Sequence, residues 1–158
     1  MSRERSDLLK DPALRLQPMQ QSDLAAVVEL ELRCYPFPWT EGIFRDCLGV
    51  GYNCWVYRYR ERIVGYGVMS VAAGEAHILN ICIEPELRGR GLARRMLERL
   101  LNLARQHGAD SVFLEVRASN TAAQNLYSGL GFNEVGLRRG YYPAAQGRED
   151  AIVLALSL

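Results

Sequence analysis

Arg88-Gly89-Arg90-Gly91-Leu92-Ala93-Arg94 stands between an apolar run that stops at Pro85 and a long amphipathic segment. In that segment Leu92, Met96, Leu97, Leu100, Leu101 and Ala104 recur at helical spacing, and Gly108 offers a C-terminal stop. The quoted stretch is therefore a turn from a strand into a helix. Gly89 and Gly91 remove side chains where backbone must approach a ligand closely. The helix N-terminus behind them presents unpaired N–H groups and the positive end of a dipole. Such a turn suits a pyrophosphate, with Arg88, Arg90 and Arg94 as charge-assisted donors at its rim. It is not a Walker loop, because Gly-Lys-Ser/Thr is absent, and Arg94 stands where a dinucleotide fingerprint needs a third small residue. The pattern that remains is Gln/Arg-x-x-Gly-x-Gly/Ala, met by Arg88, Gly91 and Ala93. Its plain alternative is a tight turn with an arginine-rich face.

Outward from this turn the chain alternates regularly. On the C-terminal side, residues 112–116 read as a buried strand, 121–130 as a helix ended by Gly131, and 132–140 and 151–156 as the last two strands. On the N-terminal side, β-rich runs at 54–59, 63–72 and 76–83 are joined by turns at 60–62 and 73–75. Before them, residues 14–18 form a first strand. Ser22 is placed to cap a helix carrying Leu24, Val27, Val28 and Leu32. Pro36 and Pro38 exclude a helix, and Thr40 can cap a second short one with Ile43, Phe44 and Cys47. The order β-α-α-β-β-β-α-β-α-β-β predicts an α/β fold with a mixed central sheet of about seven strands and about four helices. Residues 1–12 alternate charges without an apolar period and are expected to be a mobile leader, with a single domain over 13–158.

Composition removes several function classes. A chain of 158 residues, 49% hydrophobic and 23% charged, makes one ordinary globular domain. A net charge of +1 gives no global field for nucleic acid, no apolar run reaches membrane-span length, and the N-terminus lacks the order of a signal peptide. Lys10 is the only lysine, which leaves no core lysine for a Schiff base. Cys34, Cys47, Cys54 and Cys82 show no Cys-x-x-Cys spacing, and His77 and His107 lie far apart, so no metal site is expected. Four reduced thiols in the cytoplasm is the plain reading.

Some residues stand out against this background. Glu115 lies near the end of the apolar strand Val112-Phe113-Leu114-Glu115-Val116, where a carboxylate is costly unless paired or used. Its structural alternative is an ion pair with Arg117, two residues on. Tyr127 sits on a helix with Leu126 and Leu130 and by period alone reads as a core aromatic. Asn120 can cap that helix. A nucleophilic Cys82 lacks a histidine motif to support it. His77 reads as a strand residue with a satisfied ring nitrogen, and His107 as a helix C-terminal residue favoured by the dipole. Residues 36–39 and 138–143 hold arginines and aromatics, either a packed hairpin end with a solvated basic patch or a pair of walls around a ligand.

The loop at Arg88, Gly91 and Ala93 resembles the acetyl-CoA pyrophosphate loop of the GNAT acyltransferase superfamily, over roughly residues 14–157 in element order. Several separated stretches resemble the RimI family, whose members acetylate the N-terminal alanine of ribosomal protein bS18. They are Pro36-Phe37-Pro38-Trp39-Thr40, Leu79-Asn80-Ile81, Leu114-Glu115-Val116-Arg117-Ala118-Ser119-Asn120, Leu126-Tyr127 with Gly131-Phe132, Arg138-Arg139-Gly140-Tyr141-Tyr142-Pro143 and Gly147-Arg148-Glu149-Asp150-Ala151. The resemblance implies a GNAT fold whose fourth and fifth strands splay to admit acetyl-CoA, with no metal. It makes Glu115 the general base and Tyr127 the acid that protonates the departing thiolate. It assigns the cofactor to Ile81, Cys82 and Ile83, whose backbone would pair with the pantetheine arm, to residues 88–94, including Leu92, and to Asn120. Cys82 would then be a small apolar lining residue. It assigns the peptide N-terminus to Tyr35, Phe37, Trp39, Asn80, Arg138, Tyr141 and Tyr142. The partner is the N-terminus of bS18, with no nucleic acid or membrane. Two other readings stay open: a GNAT enzyme for another amine, and a non-catalytic acyl-CoA-binding module.

Overall fold

A computed structural model describes residues 7–158. Its elements are β1 (Leu14–Pro18), α1 (Leu24–Cys34), α2 (Glu41–Gly49), β2 (Asn53–Tyr59), β3 (Arg62–Ala72), β4 (Glu75–Ile83), α3 (Leu92–Gln106), β5 (Ser111–Arg117), α4 (Thr121–Gly129), β6 (Asn133–Pro143) and β7 (Arg148–Ser157). All seven strands form one sheet in the order β1-β2-β3-β4-β5-β7-β6. Every pairing is antiparallel except β4 with β5. The α/β class, the element order and the strand count are those expected from the sequence.

Helices cover both faces of the sheet. The apolar stripe of α3 is buried from Leu92 to Ala104 and shares a core with Met69, Ile78, Val112 and Leu114. Gly67 of β3 makes room for it, since a Cβ there would meet Met96 Sδ at 3.1 Å and Leu100 Cδ1 at 3.3 Å. On the opposite face Leu24, Val27, Leu30 and Phe44 pack with Val56, Tyr66, Val68 and Cys82. Thr40 caps α2, its hydroxyl accepting from the Ile43 N–H at 3.3 Å.

Three local expectations change. The first helix enters through a 3-10 turn at Gln21–Asp23, with Gln20 and Asp23 forming a capping box, so Ser22 is not its cap. Its buried side is Leu24, Val27, Leu30 and Glu31, while Leu32 is 61% exposed. The expected leader at 1–12 contains structure in its second half. Residues 7–10 form a helical turn, Leu8 is buried in the α3-side core, and Arg95 Nη1 donates to the Leu9 carbonyl at 3.0 Å. An apolar pair within a charged run is enough to dock that segment. Residues 1–6 lie outside the described residues.

The feature that creates the site is the short contact between β4 and β5. It spans only Glu75↔Ser111 to Ile78↔Leu114. Leu79 is an extra residue in β4, inserted between the pairs Val68↔Asn80 and Met69↔Ile78. A bulge bends its strand and interrupts pairing. Beyond it the two parallel strands part, leaving a cleft between 79–83 and 115–117.

Candidate active site

Three elements converge on this cleft: the turn into α3, the C-terminal half of β5 with α4, and two walls from 35–39 and 138–143. Gly89 and Gly91 adopt φ +77° and +88°, values that L side chains rarely take. Gly91 is the N-cap of α3 and carries no side-chain cap, so the first N–H groups of the helix are offered to a ligand. The Leu92 side chain is buried and its carbonyl accepts from the Tyr57 hydroxyl at 2.8 Å, which leaves its backbone N–H as the ligand-facing group. Ala93 packs partly against the core and Arg94 is exposed. Arg90 is half-buried in the turn. Arg88 folds back, its Nε donating to the Ile83 carbonyl at 3.0 Å, and ties the turn to the end of β4.

The β4 edge is also tied from the other side. The Tyr35 hydroxyl donates to the Ile81 carbonyl at 2.6 Å. Burial holds that hydroxyl far above the ordinary phenol range, and Cys82, Glu31 and Tyr127 push it further the same way. Tyr35 therefore buttresses the strand as well as closing the cleft. Cys82 departs from its expected lining role. Its side chain is buried in the α1-side core beside Tyr66, and burial pushes the thiol up to about 12, which leaves it protonated and unreactive. Asn120 is the N-cap of α4, its Oδ1 accepting from the Ala123 N–H at 3.1 Å.

Glu115 is only 9% exposed along its side chain. Its expected alternative partner, Arg117, does not pair with it. Instead Oε2 lies 2.6 Å from His77 Nε2, and Oε1 lies 3.4 Å from Arg138 Nε. Tyr127 packs edge-on against Phe132 at 5.7 Å, and burial pushes its hydroxyl up to about 12. The Tyr142 hydroxyl is likewise pushed up to about 12, by burial and then by Glu115 and Tyr141, with Arg117 opposing and Tyr127 adding to the rise. Glu115 and Tyr127 thus both act on Tyr142.

Arg117 joins the two walls. Its guanidinium lies 4.5 Å from the Tyr142 ring centre and 5.8 Å from that of Phe37. It also donates to the Pro143 carbonyl at 2.9 Å and to Glu149 Oε1 at 3.0 Å. Arg138 lies over Tyr141, which contacts Tyr142 edge-on at 4.9 Å. Phe37 and Tyr141 are each 44% exposed, apolar surface left open at the cleft mouth.

One central residue escaped the sequence reading. Glu31 is buried and accepts from the Trp39 N–H at 2.8 Å, from Asn80 Nδ2 at 3.1 Å and from the Tyr66 hydroxyl. It fixes the 35–39 loop to β3 and to the bulged part of β4, so Trp39 and Asn80 reach the cleft already tethered. Its signal was present: Leu24, Val27 and Glu31 share one helical face.

The unpaired β4 edge at 79–83 would offer backbone to an extended arm, and the uncapped N-terminus of α3 would offer N–H groups to a pyrophosphate. The model of the acetyltransferase (GNAT) family matches residues 24–132. The chain is 41% identical over 140 residues to a [ribosomal protein bS18]-alanine N-acetyltransferase of Salmonella typhimurium, covering 89% of this chain and 95% of that one. It is 38% identical over 143 residues to the Escherichia coli protein of the same name, covering 90% and 97%. The crystal structure of the E. coli ribosomal-protein-S18-alanine N-acetyltransferase superposes with a TM-score of 0.85 over 91% of this chain and 93% of that one. The chain belongs to the GNAT acetyltransferase family. Acetyl-CoA is the acetyl donor of that family.

Proposed function

We propose that this protein transfers the acetyl group of acetyl-CoA to the α-amine of the N-terminal alanine of ribosomal protein bS18, by direct attack within a ternary complex. The names of the two relatives support the substrate. The observation that carries the chemistry is a nearly buried carboxylate, Glu115, at the point where β4 and β5 part, close enough to Tyr142 to raise its pKa. Cys82 holds its proton and is buried away from the cleft, which speaks against a covalent acyl-enzyme through that thiol.

An α-amine titrates near 7.7–8.0 and is largely protonated at neutral pH. Glu115, directly or through a water, takes its proton, and the free nitrogen attacks the thioester carbonyl carbon. As the C–S bond breaks, negative charge gathers on sulfur. Tyr127, whose raised pKa keeps it protonated, donates to that sulfur and delivers the proton as the thiol leaves. Two protons leave the nitrogen in all: one is matched by the thiol formed, and the other reaches solvent. The 35–39 and 138–143 segments hold the peptide, with Phe37, Trp39, Tyr141 and Tyr142 as its aromatic sides. A ribosomal protein substrate is consistent with a cytoplasmic enzyme. No helix among the described residues is long and apolar enough to cross a membrane.

Turnover with a bS18 N-terminal peptide beside an internal-lysine peptide, the product mapped by mass spectrometry, tests this reading. Acetylation at the bS18 α-nitrogen is expected. Acetylation of lysine alone would assign another amine, and acetyl-CoA binding without turnover would assign a non-catalytic module.

A further inference from the structure

Glu115 has a second partner that the reaction above does not use. His77 Nε2 lies 2.6 Å from Glu115 Oε2. The two strands bring them together where their pairing ends: His77 is opposite Phe113, one pair before the last, and Glu115 is two residues further along the same face of β5, just past the final pair. Glu115 is 9% exposed along its side chain, whereas His77 is 38% exposed. The pair therefore runs from the shielded end of the cleft towards water.

The geometry points to His77 as the group that receives the substrate's proton from Glu115 and returns it to solvent, making the pair a better base than a carboxylate alone. This rests on Glu115 being the general base. Imidazole is by its chemistry a stronger base than a carboxylate. Passing the proton onward shortens the uphill step. In the transfer an N–H bond of the ammonium breaks and an O–H bond forms on Glu115. At rest the Nε2–H of His77 donates to the Glu115 carboxylate. Once Glu115 is protonated, the imidazole hydrogen moves to Nδ1 through solvent, and the new O–H breaks as the bare Nε2 takes its proton. Loss of the Nδ1 proton to water then restores the starting tautomer. Nothing is oxidised or reduced.

The other groups around the pair do not serve. Arg138 on β6, 3.4 Å from Glu115, is permanently charged and accepts nothing. Tyr142 on β6 holds its own proton firmly, Tyr141 stands beyond it, and Arg117 on β5 is committed to Glu149. The register neighbours of His77 are Ser70 on β3 and Phe113 on β5, neither charged. His77 acts through Glu115 and is a positioning residue that also relays, outside contact with the substrate.

His77→Gln keeps a hydrogen-bonding amide beside Glu115 but accepts no proton. Its kcat at pH 7 is expected to fall roughly tenfold or more, with peptide KM within twofold and thermal stability retained, and the loss should shrink above about pH 8. In His77→Ala, added imidazole should restore kcat in proportion to its concentration, and pyrazole, of the same shape but far weaker as a base, should not. Wild-type kcat in His77→Gln overturns the relay, as does equal rescue of His77→Ala by pyrazole. Should His77→Ala not fold, the kcat of His77→Gln decides alone. Glu115→Gln, measured in parallel, separates the two claims. If it is crippled while His77→Gln is not, only the relay fails; if it retains wild-type kcat, the base assignment itself fails.

Discussion

In the proposed reaction Glu115 and Tyr127 would divide the proton chemistry, and each role makes a distinct demand. Glu115→Gln preserves shape and hydrogen bonding but removes the base. Its kcat/KM should fall most near neutral pH and recover partly above about pH 8, where the amine is already free. A pH–rate profile parallel to wild type would assign the acidic limb to another group. Tyr127→Phe keeps the ring against Phe132 and deletes only the hydroxyl. A loss of roughly 10²-fold in kcat is expected, with acetyl-CoA affinity and thermal midpoint unchanged. A fall in stability with full activity per folded molecule would make Tyr127 a core aromatic only. Both residues stood out in the sequence, Glu115 as a carboxylate in an apolar strand and Tyr127 through the family resemblance. Their partners did not. His77 lies 38 residues before Glu115, and only the parallel register of β4 on β5 makes them neighbours. Glu31 sat on a legible helical face, but its three donors come from the 35–39 loop, β3 and β4, and no local pattern encodes such a meeting.

At the scale of elements, the proposed function makes the turn into α3 the determinant of cofactor affinity. Gly91 sits at φ +88° at the N-cap of α3, where the helix dipole and its first N–H groups would meet the pyrophosphate. Gly91→Asp adds a strained left-handed residue and a negative charge at that point. Acetyl-CoA affinity should drop by roughly tenfold or more, because the added carboxylate repels the pyrophosphate and competes for the helix N–H groups. Calorimetry on the folded variant decides, and near wild-type affinity would remove the turn from the site. The stripe of α3 was plain in the sequence because apolar period and terminal glycines agree. The bulge at Leu79 was not, because one inserted residue leaves no compositional mark. The last two strands run longer than expected, to Pro143 and from Arg148, because their outer ends are held by polar contacts. Arg148 Nε donates to the Gly140 carbonyl at 2.5 Å, and the Gly140 N–H donates to Asp150 Oδ1 at 2.8 Å. Apolar alternation could not announce them.

For the whole molecule, the join between α1 and the end of β4 sets a dependence on acid. Arg33 holds Glu84 through two 2.8 Å bonds, with Arg62 at 3.7 Å, and these cations keep the Glu84 carboxyl below its ordinary value of 4.5. The unfolded chain therefore binds this proton first as pH falls. The pair's stabilisation is present in full above about pH 4.5 and is lost as pH drops through the depressed range. Denaturant midpoints should decline across that window, and Arg33→Gln should flatten the decline. An unchanged slope would assign the acid sensitivity to other carboxylates. The same join fixes the strand end that carries Ile81 and Ile83, so the scaffold and the cleft share it. What the molecule does with the cleft turns on which nitrogen it accepts. The cleft supplies one carboxylate between aromatic walls, suited to an α-amine and poorly suited to a lysine, which titrates near 10.4. Steady-state turnover of one bS18 N-terminal peptide carrying an internal lysine, with its N-terminus free and then chemically blocked, separates these acceptors. The free peptide should be acetylated at its α-nitrogen alone and the blocked peptide not at all; efficient acetylation of the blocked peptide at lysine would contradict this.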